Sequence, residues 1–287
     1  MSAANPVPST EMDDASHWKA ELELEFEVHE GRTILLRKRH LGPLVTQQPH
    51  YPDGPKRCEA ILVHPPAGIA GGDQLQLRVR VHDGAQAVLT TPGANRFYRA
   101  RGAAAQVLQF FRVDTTGALE WLPQETLLYD RAHARCRTRI DLEPGAKLLT
   151  WEITGLGKPA SNQPFRRGDC QIRLEVWRDG EPLWYDRTRY AGGGELMSAG
   201  WGLREQPCVG TWLATGATEE ALEAARTHLA ATRTSVFAAA TRIDDLLVVR
   251  ALGNQTRQIF LCFASLRDAL RERLLGSPAS PARIWST

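Results

Sequence analysis

The stretch ELELEFEVH, residues 21–29, alternates strictly between acidic and apolar side chains until the final histidine. Successive side chains of a β-strand point to opposite faces. The pattern therefore predicts a strand that turns Leu22, Leu24, Phe26 and Val28 toward a core and turns the intervening glutamates toward solvent.

The same two-residue period returns along the chain and is separated by residues that favour turns. Asp83-Gly84, Glu143-Pro144-Gly145 and Asp179-Gly180 supply that turn chemistry, and Asp-Gly between two strands is typical of a hairpin. Strand signals about ten residues apart predict a mainly β protein. The alternating segments are residues 74–82, 135–142, 172–176 and 183–185.

Helical spacing appears only in the C-terminal half. Apolar residues recur at intervals of three and four in residues 219–231 and again in residues 255–274, before Gly276. Residues 246–252 between them are predicted to form a buried strand. With no repeat and no linker in the sequence, we expect one β-rich domain over residues 17–287, after a disordered lead-in of residues 1–16.

Composition indicates an ordinary globular protein. The 287 residues are 43% hydrophobic and 24% charged, with a formal net charge of +2, which is unlike a disordered chain. No apolar run approaches the roughly 18 residues of a membrane span, and the N-terminus lacks the features of a secretory signal. We therefore expect a cytoplasmic protein without membrane contact.

Five scattered cysteines without a CxxC pair argue against a disulfide scaffold and a zinc site.

Arginine accounts for 30 of the 35 basic residues. Because arginine binds phosphate well, one alternative is an arginine-rich nucleic-acid-binding module. The 33 acidic residues are interspersed with the arginines, whereas a nucleic-acid surface usually clusters its positive charge. We expect no nucleic-acid partner.

A second alternative is a nucleotide-dependent enzyme. Residues 155–160, GLGKPA, fit a loose dinucleotide-binding fingerprint, but that fingerprint requires a helix to begin at the loop. Pro159 and Pro164 follow instead, and no helical pattern is present. Gly68, Gly71 and Gly72 lead into Asp73 rather than the lysine of a phosphate-binding loop. Without a nucleophile elbow or a paired metal-ligand motif, the sequence predicts no enzyme and no permanent cofactor.

Several longer segments are similar to the UreD (also called UreH) family of urease accessory proteins. The similarity runs in order from about Trp18 to the C-terminus, with Arg96 where the family usually has lysine. The matching segments are HPPAGIAGGDQLQLRVRV (64–81), LTTPGANRFYRA (89–100), WLPQET (121–126), GLGKPA (155–160), LLVVRALG (246–253) and PARIWST (281–287).

The resemblance implies a fold of stacked or helically wound β-sheets. It also implies a urease maturation chaperone that binds the urease structural subunits and a UreF-like protein. The UreF-like protein would in turn recruit a UreG-like GTPase, so that GTP hydrolysis lies outside this chain. Nickel would be carried in transit through an internal polar passage.

We predict one functional surface or passage wall around residues 64–73 and 96–99, where arginine and aromatic side chains favour protein contact. Its residues are His64, Pro65, Pro66, Gly68, Gly71, Gly72, Asp73, Arg96, Phe97, Tyr98, Arg99 and Gln124. Candidates for transient contact with nickel are the carboxylates of Asp73, Glu125 and Glu152, which lie near motif glycines or prolines.

Overall fold

A computed structural model describes residues 17–66, 68–232, 235–278, 280 and 282–286. The predicted lead-in of residues 1–16 lies outside these ranges.

The described residues form a mainly β structure with two α-helices in the C-terminal half, as predicted. The helices are α1 (Glu219–Ala231) and α2 (Thr256–Leu275), and short 3-10 helices cover Pro159–Ser161, Glu195–Met197 and Arg283–Ser286. The strands are β1 (Lys19–His29), β2 (Arg32–Leu41), β3 (Val45–Thr46), β4 (Arg57–Val63), β5 (Gln74–Val81), β6 (Gln86–Thr90), β7 (Asn95–Phe97), β8 (Ala105–Val113), β9 (Ala118–Leu122), β10 (Thr126–Leu128), β11 (Ala132–Leu142), β12 (Lys147–Lys158), β13 (Gln163–Pro164), β14 (Gly168–Arg178), β15 (Glu181–Ala191), β16 (Cys208–Ala214), β17 (Phe237–Ile243) and β18 (Leu246–Gly253).

The strands form two stacked sheets, and the chain alternates between them. The first sheet has the order β15-β14-β11-β8-β5-β1-β2, and the main path of the second is β17-β18-β16-β12-β9-β6-β4-β3. From β4 to β14 each long strand lies in the sheet opposite its predecessor and pairs in parallel with the corresponding strand one coil away. This winding confirms the predicted stacked, helical arrangement.

The predicted turn residues serve two kinds of connection. Asp179 and Gly180 close the antiparallel β14–β15 hairpin with φ angles of +50° and +79°, as a two-residue hairpin turn requires. The turns at residues 83–84 and 143–145 instead carry the chain from the first sheet to the second. The pair Asp-Gly occurs in both kinds of connection, so it does not reveal which strand follows.

The core between the sheets contains most of the predicted apolar face of β1. Leu22, Leu24 and Phe26 are at most 1% exposed, but Val28 is 43% exposed. The prediction is wrong at Val28 because the neighbouring strand β5 ends opposite Phe26, at Val81. Beyond that point β1 has lost its parallel neighbour.

The two helices cover the face of the second sheet that points away from the first sheet. Helix α2 packs Phe260 and Phe263 against Trp151 of β12. Gly210 of β16 makes room for this helix, because a Cβ there would lie 2.7 Å from both Ile259 and Phe263. The apolar spacing predicted for α2 therefore reflects ordinary core packing.

A buried ion cluster fastens α2 to the second sheet. Glu120 of β9 accepts hydrogen bonds from Arg267 Nε at 2.7 Å and Arg271 Nε at 2.8 Å, and all three residues are at most 2% exposed. The same arginines donate to carbonyl oxygens of Ser277, Pro278 and Ser280. The cluster thus holds the chain that follows α2 as well as the helix.

Candidate functional site

The segments that resemble the accessory-protein family meet at one end of the second sheet. Ile69 N donates to Arg96 O at 2.7 Å, and Tyr98 N donates to Ile69 O at 2.9 Å. Strand β7 pairs in parallel with β10, and β10 pairs in parallel with the end of β12. Segments that are far apart in sequence therefore form neighbouring strands.

A cluster of aromatic side chains at the surface leaves no room for a side chain at position 68. A Cβ at Gly68 would lie 1.9 Å from the Tyr98 ring, so the ring occupies the space that a side chain would need. Tyr98 stacks edge-on against Tyr129 with ring centroids 5.5 Å apart, and Lys158 Nζ lies 4.5 Å above the Tyr129 ring. Two of the matching segments thus contact each other here, and Tyr129 links them to Lys158 of a third.

Asp73 organises the glycine turn rather than facing the interior. Its carboxylate accepts hydrogen bonds from Ala70 N at 2.8 Å and Trp18 N at 2.9 Å, and the residue is 2% exposed. Gly72 has a φ of +90°, and a Cβ at Gly71 would lie 2.6 Å from Ala100. The carboxylate therefore holds the entry to β1 against a tightly packed turn.

Four cavities follow one another between the sheets, and we call them together the interior passage. Cavity 1 has a volume of about 250 Å³, cavity 2 about 40 Å³, cavity 3 about 10 Å³ and cavity 4 about 480 Å³. Cavities 1 and 2 share Asn95 and Gln109, cavities 2 and 3 share Glu152, and cavities 3 and 4 share Tyr190 and Arg250. The cavities at the two ends of this series are therefore large, and the two in its middle are small.

Five of the predicted site residues line this passage in addition to Glu152. They divide between its first two cavities: His64, Gly68 and Arg96 in cavity 1, and Phe97 and Gln124 in cavity 2. The other predicted residues do not line it: Pro65, Pro66, Gly71, Gly72, Asp73, Tyr98, Arg99 and Glu125.

His64 is half-buried at the wall of cavity 1. Burial lowers the pKa of its imidazole, although the charge of Asp73 opposes that shift. Its Nε2 atom is buried without a hydrogen-bond partner in the described structure. A neutral imidazole is the form that binds a transition metal.

Glu152 occupies the narrow middle of the passage. No hydrogen bond from another described residue reaches its carboxylate. The pKa of Glu152 is raised to about 7, first by burial and then by the negative charge of Asp186, while the positive charge of Arg250 acts in the opposite direction. Near neutral pH this carboxyl group is therefore divided between its protonated and ionised forms.

Three residues beside Glu152 were not among the predicted site residues. Asp186 and Arg250 form an ion pair in the wall of cavity 3. Cys136 lines cavity 2, and its thiol pKa is raised well above the ordinary value by burial and then by the charges of Glu152 and Cys170. The Cys136 thiol is therefore protonated, and Glu152 is the only one of these groups that is both ionisable near pH 7 and unpaired in the described residues.

Residues 155–158 do not form a nucleotide-binding loop. They are the last residues of β12, and the 3-10 helix Pro159–Ser161 follows them. A Cβ at Gly155 would lie 2.8 Å from both Leu127 and Thr256. The glycines thus serve close packing, and the helix N-terminus that a pyrophosphate needs is missing from this described segment.

Replacement of Gly157 by alanine is expected to destabilise the protein. Gly157 has a φ of +89°, and a Cβ would lie 2.0 Å from Gln163 O. Both the left-handed backbone and the contact with β13 oppose a side chain, so we expect a loss of about 2 kcal/mol or more in the free energy of unfolding. Urea denaturation measures it, and Gly180→Ala, also at positive φ but with nothing within 4 Å, is the control. An equal loss in both variants would contradict the packing role.

The described residues contain no group of three or more histidine, cysteine, aspartate or glutamate side chains placed to hold a metal ion. Neither α1 nor α2, nor any other helix described, is long and apolar enough to cross a membrane.

Comparison with known proteins gives one consistent result. Residues 19–286 match the model of the family described as UreD urease accessory protein. A urease accessory protein UreD from Pseudomonas fluorescens Pf-5 is 43% identical, covering 94% of this chain and 95% of its own. UreD 2 from Brucella anthropi is 39% identical over 94% and 98%, and UreD from Pseudomonas entomophila L48 is 38% identical over the full length of both chains.

Proposed function

We propose that this chain, which belongs to the UreD family of urease accessory proteins, serves urease maturation as a non-catalytic adaptor for nickel insertion. It binds the urease structural subunits and a UreF-like protein, and it works with a UreG-like GTPase through that complex. This assembly forms in the cytoplasm.

In this proposal nickel crosses the protein through the interior passage. The observation that supports this route is the unbroken sequence of shared wall residues from cavity 1, past Glu152, to cavity 4. Imidazole and carboxylate are both suitable nickel ligands. His64 at the wide end and Glu152 at the narrow middle offer them one at a time.

Weak contact suits a carrier. An ion held by a complete ligand set would not leave on the time scale of delivery, whereas isolated contacts allow entry and exit. Glu152 would exchange its proton for the incoming cation, because a divalent charge favours the ionised carboxylate. Asp186 is already paired with Arg250 and would contribute to the local field rather than bind tightly.

Co-purification tests the adaptor role. The tagged full-length chain is co-expressed with the urease structural subunits, with and without the UreF-like protein, and the recovered complexes are assayed for urease activation by nickel. We expect association, and activation only with nickel and the full accessory set. Failure of the chain to associate with either partner would contradict the proposal.

A further inference from the structure

The first sheet gathers arginine on its solvent face, a feature hidden in the sequence because the arginines are spread over five strands. The outward positions of β5, β8, β11, β14 and β15 contain nine arginines and three carboxylates, and Asp114 and Glu143 just beyond the strand ends pair with Arg80 and Arg112. Nine arginines and five carboxylates leave an excess of four positive charges. The arginines are Arg78, Arg80, Arg112, Arg135, Arg137, Arg139, Arg173, Arg187 and Arg189, and the carboxylates on the strands are Asp141, Asp169 and Glu175.

Three of these arginines lie side by side in register. Arg137 of β11 is opposite Arg173 of β14, and Arg173 is opposite Arg187 of β15. We call these three residues the arginine row. Since neighbouring strands are about 4.8 Å apart, the row spans about 10 Å.

The carboxylates nearby neutralise only part of this charge. Glu175 accepts two hydrogen bonds from Arg137, at 3.0 and 2.8 Å. Asp169 binds both Arg135 and Arg189 at 2.6 Å. Arg173 makes one hydrogen bond, to Gln171, and the guanidinium of Arg187 has no hydrogen bond or ion pair within the described ranges. Like charges directly opposite in a sheet are destabilising, so the isolated fold does not explain why this row is present.

Aromatic side chains flank the row. Arg139 lies 4.6 Å above the ring of Trp177, and Tyr185, opposite Glu175, is 54% exposed. Arginine, tryptophan and tyrosine together are the residues enriched at protein–protein contacts. A phosphate backbone carries negative charge along its whole length, so it would lie against the carboxylates among the arginines as well as against the arginine row. A protein surface can place carboxylates opposite the arginine row alone, so the pattern favours a protein partner over nucleic acid.

We infer that the arginine row is a docking site for a carboxylate-bearing surface of apo-urease. This inference rests on the proposed function, because it assigns one of its partners to one face. Charged, solvent-exposed faces fit partners that associate and then separate, whereas long-lived interfaces are more apolar. Urease is the partner that must be released after maturation, and the apolar mouth of cavity 4, with exposed Trp201 and Phe237, better fits a long-lived partner.

Reversal of the charge at Arg187 distinguishes an effect on binding to apo-urease from an effect on folding. Arg187→Glu places a carboxylate opposite Arg173 and replaces a cross-strand repulsion by an attraction. We therefore expect the thermal midpoint of the full-length chain to stay the same or rise, while its affinity for immobilised apo-urease falls about tenfold at low salt. The dependence of log Kd on log salt concentration should also become shallower, since fewer charges are then neutralised on binding.

The control is Arg39→Glu, a reversal on the exposed edge strand β2 of the same sheet, opposite Glu23. It should leave the affinity for apo-urease unchanged. An unchanged affinity for Arg187→Glu would overturn the inference, as would a loss of affinity for a duplex DNA probe alone. If the wild-type chain itself does not bind apo-urease, the proposed function fails, and the inference fails with it.

Discussion

Glu152→Gln should slow nickel-dependent urease activation by about tenfold or more, while leaving the accessory complex assembled. The substitution keeps the size of the side chain and removes the ionisable group from the narrow middle of the interior passage. In an enclosed site, loss of a charge that faces a divalent cation raises the barrier by more than about 1.4 kcal/mol, which is tenfold in rate. The rate is measured as urease activity gained per minute after nickel is added to the purified activation complex.

The pH dependence provides the sharper readout. Because the pKa of Glu152 is about 7, the fraction of carboxylate rises about tenfold between about pH 6 and about pH 8. The activation rate of wild type relative to Glu152→Gln should rise over the same interval, since division by the variant removes the pH dependence of the other components. A ratio that does not change with pH would contradict a role for this carboxylate.

Cys136→Ser is the matched control within the same cavity. The Cys136 thiol is held in its protonated form, and the neutral serine hydroxyl is of similar size. We expect its activation rate to lie close to that of wild type. If Cys136→Ser were as slow as Glu152→Gln, the effect would reflect disturbed packing of cavity 2 rather than charge.

Glu152→Gln should also stabilise the folded protein at high pH. The pKa of Glu152 is raised from 4.5 to about 7, so the folded state favours the protonated group. The stability that protonated Glu152 contributes is fully present below the pKa of the unfolded chain and is lost as pH rises through about 7. We expect this loss to lower the free energy of unfolding by about 1–3 kcal/mol, since water in the cavity partly solvates the carboxylate. Glu152→Gln should therefore unfold at higher urea concentration than wild type at about pH 8.

Glu120→Gln should lower the free energy of unfolding by about 3–5 kcal/mol. This is the largest loss that we expect from replacing one charged side chain of the protein by an uncharged one of similar size. It leaves Arg267 and Arg271 buried without their carboxylate, and a buried charge without its partner is costly. Burial alone would raise the pKa of Glu120, but these two arginines lower it, so the ion cluster is formed at neutral pH. Urea denaturation of the full-length chain measures the loss, and α2 and the chain after it should loosen first.

Glu223→Gln gives the comparison for the buried cluster. Glu223 pairs with Arg226 at 2.7 Å on the surface of α1, where both side chains are more than half exposed. An exposed pair of this kind contributes about 0–1 kcal/mol. Losses of similar size in the two variants would show that burial of the Glu120 cluster does not determine its strength.

Strand positions and both helices could be predicted from periodicity, because each depends on residues close in sequence. α1 coincides with the predicted residues 219–231, and α2 differs by one residue at each end from the predicted 255–274. Pairing could not be predicted in this way. Whether a turn such as residues 83–84 closes a hairpin or carries the chain to the other sheet depends on distant strands. The stacked arrangement was therefore predicted from the family resemblance and not from the periodicity.

The predicted site residues divide in the same way. His64 and Arg96 belong to conspicuous motifs and line cavity 1, whereas Asp73 and Glu125, also near motif residues, line none of the four cavities. Asp186 and Arg250 were missed because one lies in a strand of the first sheet and the other in a strand of the second. A usable signal was present at Cys136 and Thr138, which are polar positions on the apolar side of an alternating strand.

We propose that nickel reaches urease through this protein rather than through bulk solvent. This route is tested most directly by adding excess EDTA to the activation complex after nickel has been loaded onto the accessory proteins and before GTP starts transfer. An interior route predicts that urease activation proceeds with wild type nearly as well as without EDTA, because the chelator is too large for the narrow middle of the passage. Complete loss of activation on addition of EDTA would mean that nickel is released into solution and would contradict the interior route.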